Sequence, residues 1–289
     1  MFTRFLGVKK KIVVLSGKGG VGKSTVTSLL ARCFASDLDL EIGLLDIDIT
    51  GPSQDLFMGV KEEEVHDSAT GWTPVYADEN LCIMSAGFIL NDDAALIWSG
   101  SRKTGLLKKF LKEVEWGELD FLLIDSPPGT SDEHMGKVPS GLLRIIYDSV
   151  PRIVDGTYKG ITSLLKDSGI DGGIIVTTPS EVAILDVQRQ IKFCQMVGLP
   201  IIGVIENMAA FTCPKCDVTS PIFKPSQNGR VQELCEKNGL KLLGSLPIDP
   251  KICKAMDLGI LLKYVPGNIN SRLQKEFRAI FDKYFIKKR

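Results

Sequence analysis

A glycine-rich segment near the N-terminus combines the residue types and the spacing that bind phosphate groups. It follows the apolar run IVVLS and precedes a stretch with helical periodicity. Its residues are Gly17, Lys18, Gly19, Gly20, Val21, Gly22, Lys23, Ser24 and Thr25. Glycines let the main chain wrap a phosphate with its N–H groups, and the N-terminus of the following helix adds partial positive charge. We therefore predict that the segment binds a nucleoside triphosphate, in preference to a glycine turn beside a surface lysine.

Three side chains of this loop have separate predicted roles. Lys23 neutralises the β- and γ-phosphate oxygens, and the Ser24 hydroxyl coordinates Mg²⁺. Lys18, the second residue of the loop, marks the deviant form of the Walker A motif, GKGGVGKST. In this form the loop resembles that of the dimeric ATPases that include the nitrogenase iron protein, MinD and ParA. The resemblance implies that Lys18 reaches across a dimer interface to the partner's nucleotide, with two ATP molecules between the chains.

Two acidic segments complete the predicted site. In LLDIDITGPS, Asp46 ends a strand and Asp48 lies two residues further, on the same side of an extended chain. One carboxylate can bind the Mg²⁺ shell while the other orients the attacking water, and the resemblance assigns the water to Asp48. In FLLIDSPPGT, Asp125 ends an apolar strand as a Walker B carboxylate that acts on Mg²⁺ through water. We predict that Lys18, Lys23, Asp48 and Asp125 are catalytic.

A second chemical motif is the cysteine pair Cys213 and Cys216 in the segment CPKC. Two thiolates at this spacing can bind one metal ion or part of an iron–sulfur cluster, but they cannot fill a four-coordinate site alone. Two such loops on the axis of a dimer supply four thiolates, which suits a bridging [4Fe–4S] cluster or a Cys₄ zinc site. A redox dithiol is disfavoured because the motif does not begin a helix of a thioredoxin-like unit. The other cysteines occur singly, and the first three of them are predicted to pack as hydrophobic side chains: Cys33, Cys82, Cys194, Cys235 and Cys253.

Several segments together resemble the Mrp-like iron–sulfur carrier ATPases. They are IDSPPGTSDEH (124–134), VTTPSEVAILDVQRQI (176–191) and ENM (206–208). The segment LIWSGSRKTGLLKKFLKEVEWGELDFLLIDSPPGTSDEH is similar to the eukaryotic cytosolic branch, whose members are scaffolds of cytosolic iron–sulfur cluster assembly. The resemblance covers residues 11–266. It implies that Cys213 and Cys216 ligate the bridging cluster, that Asn207 contacts the adenine, and that residues 247–249 line the base pocket.

The chain departs from that family in two places. One branch of the family carries a four-cysteine cluster motif ahead of the phosphate-binding loop, whereas none of the residues before Gly17 is a cysteine. The chain is then either the shorter partner of a heteromer whose other subunit has the motif, or a single simplified protein that carries out the functions of both subunits. We therefore expect a homodimer or a heterotetramer with a related P-loop ATPase. Residues 135–158 are longer than the family's usual helix after SDEH, which indicates either an insertion or a segment whose elements are mispredicted from the pattern.

The elements that position these residues alternate along the chain. Short apolar runs predict strands at 12–15, 42–46, 81–84, 121–124, 173–176, 201–205 and 240–246. The first of these strands is predicted to start at Lys11, one residue before its apolar run. Helical spacing predicts helices at 23–34, 106–114, 182–197, 232–238 and, amphipathic, 268–288. Continuous apolar strands separated by helices indicate an α/β, P-loop NTPase fold, a mostly parallel sheet with helices on both faces. With no repeat or linker, we predict one domain over residues 1–289, with the cysteine loop near 211–220.

The composition restricts the partners. The chain has 35 Lys and Arg against 35 Asp and Glu, so it offers no basic field to nucleic acid or to an anionic membrane. Its longest apolar run, Ala94–Trp98, is far shorter than the roughly 20 residues of a membrane span. Seven cysteines do not suit a disulfide-stapled secreted scaffold. We expect a cytoplasmic protein that binds neither nucleic acid nor membrane.

Together these observations predict a dimeric ATPase that assembles a labile [4Fe–4S] cluster between its subunits and transfers it to cytosolic and nuclear apo-proteins. ATP and Mg²⁺ are the other predicted cofactors, and turnover is expected to be weak. An alternative is a switch ATPase similar to MinD or ParA, with a structural zinc ion at the cysteine pair. A redox enzyme of the nitrogenase-reductase type is disfavoured, because its two cluster ligands per subunit are far apart in sequence.

Overall fold

The computed structural model of the 289-residue chain describes most of its length. The described residues are 5–49, 51–68, 71–89, 106, 109–110, 112–128, 169–196, 198–213, 215–216, 218–223 and 229–259. The segment 135–158 and the predicted amphipathic helix at 268–288 lie outside these residues.

An eight-stranded sheet forms the centre of the described structure, in the order β12-β9-β8-β1-β7-β2-β6-β5. Neighbouring strands are parallel throughout except for β5, an antiparallel edge strand beside β6. Two further pairs, β3–β4 and β10–β11, are short antiparallel hairpins. The strands are β1 (Val8–Leu15), β2 (Ile42–Asp46), β3 (His66–Asp67), β4 (Trp72–Thr73), β5 (Val75–Asp78), β6 (Leu81–Ser85), β7 (Leu119–Asp125), β8 (Gly172–Thr177), β9 (Ile201–Glu206), β10 (Ala210–Thr212), β11 (Thr219–Pro221) and β12 (Leu242–Ser245).

Helices cover both faces of this sheet. They are α1 (Lys23–Ala35), α2 (Gln54–Phe57), α3 (Glu181–Met196), α4 (Arg230–Lys237) and α5 (Pro250–Asp257), with a 3-10 turn at Ala86–Phe88. Along β1, Ile12 and Val14 belong to the hydrophobic core that contains the apolar side of α1. The alternate residues Val13 and Leu15 belong to a second core, which contains residues of α3. A strand buried on both sides reads as a continuous apolar run, which is why the sequence pattern identified it.

The structure confirms the predicted fold class and shifts several element boundaries. Strand β1 begins at Val8 and not at Lys11, because Val8 is buried and pairs with Leu119 of β7. Residues 106, 109–110 and 112–113 are helical as predicted, whereas Val114 forms an isolated bridge with Trp72. The antiparallel strands β3, β4, β5, β10 and β11 were missed, because they are short and depend on tertiary contacts instead of an apolar run.

The sheet brings the ends of several strands to one edge. In the parallel register Val14 of β1 lies opposite Asp125 of β7, and Asp46 of β2 lies opposite the same Asp125. The loops that follow β1, β2 and β7 therefore leave the sheet side by side, at the carboxyl edge where open α/β sheets bind ligands. In the part of the chain that the structure describes, no helix is both long and apolar enough to span a membrane.

Candidate functional site

The glycine-rich loop connects β1 to α1 through two residues with left-handed backbone geometry. Gly20 has φ 80° and Gly22, the N-cap of α1, has φ 79°. Residues with a side chain rarely adopt this geometry, so glycine is favoured at both positions. The first turn of α1 contains no acidic residue, and no side chain caps it among the described residues. The uncapped N–H groups at the start of α1 therefore give this end of the helix partial positive charge beside the loop.

A cleft of about 240 Å³ opens over this loop. Most of the residues predicted to bind nucleotide line it, together with Ser16, Ser53, Phe57 and Pro128. The predicted lining residues are Lys18, Gly19, Gly20, Val21, Gly22, Lys23, Ser24, Thr25 and Asp48. Gly17 does not line the cleft. A Cβ at that position would lie 2.6 Å from the main-chain carbonyl of Asp186 in α3, so Gly17 permits the loop to pack on that helix.

Lys23 and Asp125 form a buried ion pair beneath the loop. The Lys23 Nζ atom donates to Asp125 Oδ1 at 2.5 Å and to Ser24 Oγ at 3.2 Å. The Lys23 side chain is 5% exposed and that of Asp125 is fully buried. A buried charge of either sign requires a partner, so in this conformation each of the two groups compensates the other.

Two residues that the sequence did not indicate complete the contacts of Asp125. Thr27 Oγ1 donates to Asp125 Oδ1 at 3.1 Å, and Gln54 Nε2 donates to Asp125 Oδ2 at 2.9 Å. Thr27 lies one helical turn beyond Lys23 on α1, so the spacing could have indicated it. Gln54 begins α2, a helix of four residues that is too short to show a periodic pattern.

Asp46 and Asp48 differ in their surroundings. Asp46 accepts hydrogen bonds at Oδ1 from the Asp48 N–H at 3.0 Å, and at Oδ2 from the N–H groups of Ser53 at 2.9 Å and Gln54 at 3.1 Å. Asp46 therefore shapes the loop, while Asp48 lines the cleft. Burial, together with the nearby charge of Asp125, raises the pKa of Asp46 to about 7, although the three N–H groups oppose the shift.

Asn207 contacts the glycine-rich loop from the neighbouring part of the sheet. It follows β9 directly, is buried, and donates from Nδ2 to the Val21 carbonyl oxygen at 2.9 Å. Its own N–H donates to the Thr177 carbonyl at 2.7 Å. A Cβ on Gly22 would collide with Nδ2 of Asn207, so this close approach gives Gly22 a second reason to be glycine.

The cysteine pair lies in the connection between β10 and β11, only a few residues after Asn207. The Cys213 N–H donates to the Val218 carbonyl at 2.9 Å and closes the hairpin. Cys213 is half-buried and Cys216 is exposed, so solvent reaches the pair. Among the described residues no group of three or more potential ligands gathers around a metal position.

The other cysteines confirm the predicted distinction between packed and accessible thiols. Cys33, Cys82 and Cys194 are buried, as predicted, and so is Cys235. Burial raises the pKa of Cys82 and that of Cys194 to about 12, which keeps these thiols protonated at neutral pH. Cys253 on α5 is exposed but stands apart from the CPKC motif in sequence.

Comparison with known proteins identifies the family. A ParA family model, described as the NUBPL iron-transfer P-loop NTPase, matches residues 7–285. The chain belongs to this family. Within it, the chain is 46% identical over 281 residues to a protein of Caenorhabditis elegans named cytosolic Fe-S cluster assembly factor NUBP1 homolog. The alignment covers 97% of this chain and 82% of that protein, and a homologue from Caenorhabditis briggsae matches equally well.

Solved structures of similar proteins support the fold of this NUBPL-family chain. A nucleotide-binding protein of Archaeoglobus fulgidus in complex with ADP is 33% identical, with a TM-score of 0.67 and 91% of each chain covered. The MinD protein of Pyrococcus horikoshii with Mg-ADP has a TM-score of 0.57 over 95% of each chain, but only 20% identity. At that identity MinD supports the shared fold alone. The resemblance inferred from the sequence motifs is thereby confirmed at the level of the family and the P-loop NTPase fold.

Proposed function

We propose that this chain is an ATP-dependent carrier that assembles a [4Fe–4S] cluster between two subunits and passes it to apo-proteins. The observation that carries the proposal is the placement of the accessible cysteine pair a few residues beyond Asn207, which contacts the phosphate-binding loop. The family match to iron-transfer NTPases and the names of the relatives support the same assignment. The MinD-like switch with a structural zinc ion explains the fold but gives the CPKC hairpin no part in transfer.

Nucleotide binding would rearrange the ion pair beneath the loop. The triphosphate is placed against the N–H groups of the loop, where Lys23 moves from Asp125 to the β- and γ-phosphate oxygens. Ser24 Oγ would hold Mg²⁺ directly and Asp125 would hold it through water, and oxygen donors of this type suit the ion. When bound, Mg²⁺ would neutralise part of the negative charge of the phosphates. Asp48, which lines the cleft, orients the attacking water.

Asn207 is assigned to the adenine. Its Nδ2 is engaged by the Val21 carbonyl oxygen, so Oδ1 is the atom that remains to accept a hydrogen bond from the amino group of the base. This single side chain would then contact both the nucleotide and the loop that binds its phosphates. A change in the loop is transmitted along the backbone from Asn207 into β10 and the cysteine hairpin.

The dimer completes both sites. Lys18 is exposed on the loop and lines the cleft, and we assign it to the nucleotide of the partner chain. Cys213 and Cys216 of two chains supply four thiolates for the cluster, which is cargo and leaves with the acceptor. The assembly is a homodimer or a heterotetramer with a related P-loop ATPase. Because the relatives are named cytosolic assembly factors, we place the protein in the cytoplasm, with apo-proteins of cytosolic iron–sulfur assembly as its partners.

The direct test is cluster transfer from reconstituted protein to an apo-ferredoxin, followed by the absorption of the acceptor. Transfer should require Cys213 and Cys216, and their replacement by alanine should leave ATP binding unchanged. The matched control is Cys253→Ala, which removes another exposed thiol. Transfer by the Cys213→Ala/Cys216→Ala variant at the rate of the unaltered protein would overturn the proposal. Loss of ATP binding in the same variant would contradict the separation of the two sites.

A further inference from the structure

Gln54 connects three parts of the nucleotide site through one side chain and its own N–H. Its Nε2 donates to Asp125 Oδ2 at 2.9 Å and to the Ser24 carbonyl at 3.0 Å. Its Oε1 accepts from Ser28 Oγ at 2.6 Å, and its N–H donates to Asp46 Oδ2 at 3.1 Å. The residue is fully buried, so these contacts are shielded from water.

The orientation of the amide follows from these partners. A hydroxyl can donate to Oε1, whereas a carboxylate and a carbonyl oxygen can only accept from the NH₂ group. Ser28 Oγ also contacts the Ser24 carbonyl at 2.9 Å, so the hydroxyl and the amide are both fixed against the first turns of α1. The amide of Gln54 is thus held with its donor group toward Asp125.

The contacts of Gln54 become important when Lys23 leaves Asp125 to bind the phosphates. When Lys23 binds the phosphates, Asp125 loses a charged donor at Oδ1, and a buried carboxylate with too few donors is costly. Thr27 still donates to Oδ1 and Gln54 still donates to Oδ2, so both oxygens keep a partner. The carboxylate is then held in its position beneath the loop. The N–H of Gln54 meanwhile stabilises Asp46, whose other oxygen binds the loop at Asp48.

We propose that Gln54 is a positioning residue for ATP hydrolysis, which keeps the Asp125 carboxylate and the Asp48 loop in register while Lys23 is bound to the phosphates. The proposal rests on the ATPase part of the proposed function. Gln54 does not line the described cleft, so it acts through Asp125 and Asp46 and not on the nucleotide.

The test is Gln54→Met, which keeps the length of the side chain and removes both the donor and the acceptor. A hydrogen bond to a charged group contributes about 1.5–3 kcal/mol, so we expect kcat to fall roughly 10- to 100-fold. The Kd for Mg²⁺-free ATP should change less than about threefold. Calorimetry should show that Mg²⁺ tightens ATP binding in the unaltered protein but much less in the variant.

The matched control is Gln190→Met, the same chemical change at another buried glutamine. Gln190 lies on α3 and is 3% exposed, and its Nε2 is 3.9 Å from Cys194 Sγ. Gln190 Oε1 is buried and has no hydrogen-bond partner among the described residues, so Gln190→Met should change Tm little. The loss of the Mg²⁺ effect should occur only in Gln54→Met. Absence of hydrolysis by the unaltered protein would overturn the proposed ATPase and this role of Gln54 together, whereas hydrolysis that Gln54→Met leaves unchanged would overturn the role of Gln54 alone.

A second variant keeps the assignment testable if Gln54→Met does not fold. Ser28→Ala removes the hydroxyl that fixes Oε1 and leaves both donors of Asp125 in place. We expect a smaller decrease in kcat, roughly threefold, with a weaker Mg²⁺ effect on ATP binding. A folded variant of either kind with unaltered kcat and an unaltered Mg²⁺ effect would overturn the proposal.

Discussion

The two left-handed glycines of the phosphate-binding loop allow a matched test of how tightly Asn207 is packed against it. Gly20 has φ 80° and Gly22 has φ 79°, so alanine has the same backbone cost at either position. That cost is about 1–2 kcal/mol for a residue with a Cβ. Among the described residues no heavy atom lies within 4 Å of a Cβ at Gly20, whereas a Cβ at Gly22 collides with Asn207 Nδ2.

The collision adds a second cost at Gly22 alone. Asn207 has to move, and its buried hydrogen bond to the Val21 carbonyl oxygen is lost. An unsatisfied buried polar group costs about 1–3 kcal/mol, so Gly22→Ala should destabilise the nucleotide-free protein by about 2–5 kcal/mol in total. Gly20→Ala should cost only about 1–2 kcal/mol.

The assay is urea unfolding of the nucleotide-free protein, followed by circular dichroism. A double-mutant cycle of Gly22→Ala with Asn207→Ala should show less than additive destabilisation, with a coupling energy of about 1–3 kcal/mol, because the two changes remove the same hydrogen bond. Equal destabilisation by Gly20→Ala and Gly22→Ala would refute the packing argument. An additive cycle would refute it independently.

Three further predictions concern the charged groups of the site. Lys23→Met should destabilise the nucleotide-free protein by about 3–5 kcal/mol, because Asp125 stays buried without its cation, and adding Asp125→Asn should recover part of the loss in urea unfolding. Because the pKa of Asp46 is raised in the folded protein, the folded state keeps a proton that the unfolded state releases between about pH 4 and about pH 7. The free energy of unfolding should therefore fall as pH rises through this range, and Asp46→Asn should flatten that slope. An equal slope in the variant would exclude Asp46 as its source. Lys18→Ala should bind ATP as a monomer but fail to dimerise with a non-hydrolysable ATP analogue in analytical ultracentrifugation, whereas an ATP-dependent dimer of the variant would contradict the cross-interface role.

The sequence predicts those parts of the site that follow directly from strand ends. The carboxyl ends of parallel strands share one edge, so the apolar run that ends at Asp125 is enough to place this carboxylate beside the phosphate-binding loop. The buried strands could also be predicted from the sequence, because a strand that is buried on both sides has a continuous apolar run. The family resemblance was likewise visible in the combination of the deviant loop with the CPKC motif.

Other parts depend on contacts that no local pattern encodes. Asp46 and Asp48 have the same residue type and lie two residues apart, yet it is Asp46 that accepts hydrogen bonds from the main-chain N–H groups of Ser53 and Gln54. Gly17 was predicted as part of the phosphate-binding loop, but its close packing against α3, which leaves no room for a Cβ, has no signal in the sequence. The hydrogen bonds of Gln54 to α1 and β7 arise only after the chain has folded.

The measurement that tests the central claim most directly is the metal content of the dimer after anaerobic reconstitution with iron and sulfide. We predict about four iron atoms per dimer and the visible absorption of a [4Fe–4S] cluster, both lost in Cys213→Ala and retained in Cys253→Ala. Tightly held zinc with no uptake of iron would contradict the carrier function, and would leave a dimeric P-loop ATPase whose cysteine pair only joins its two chains.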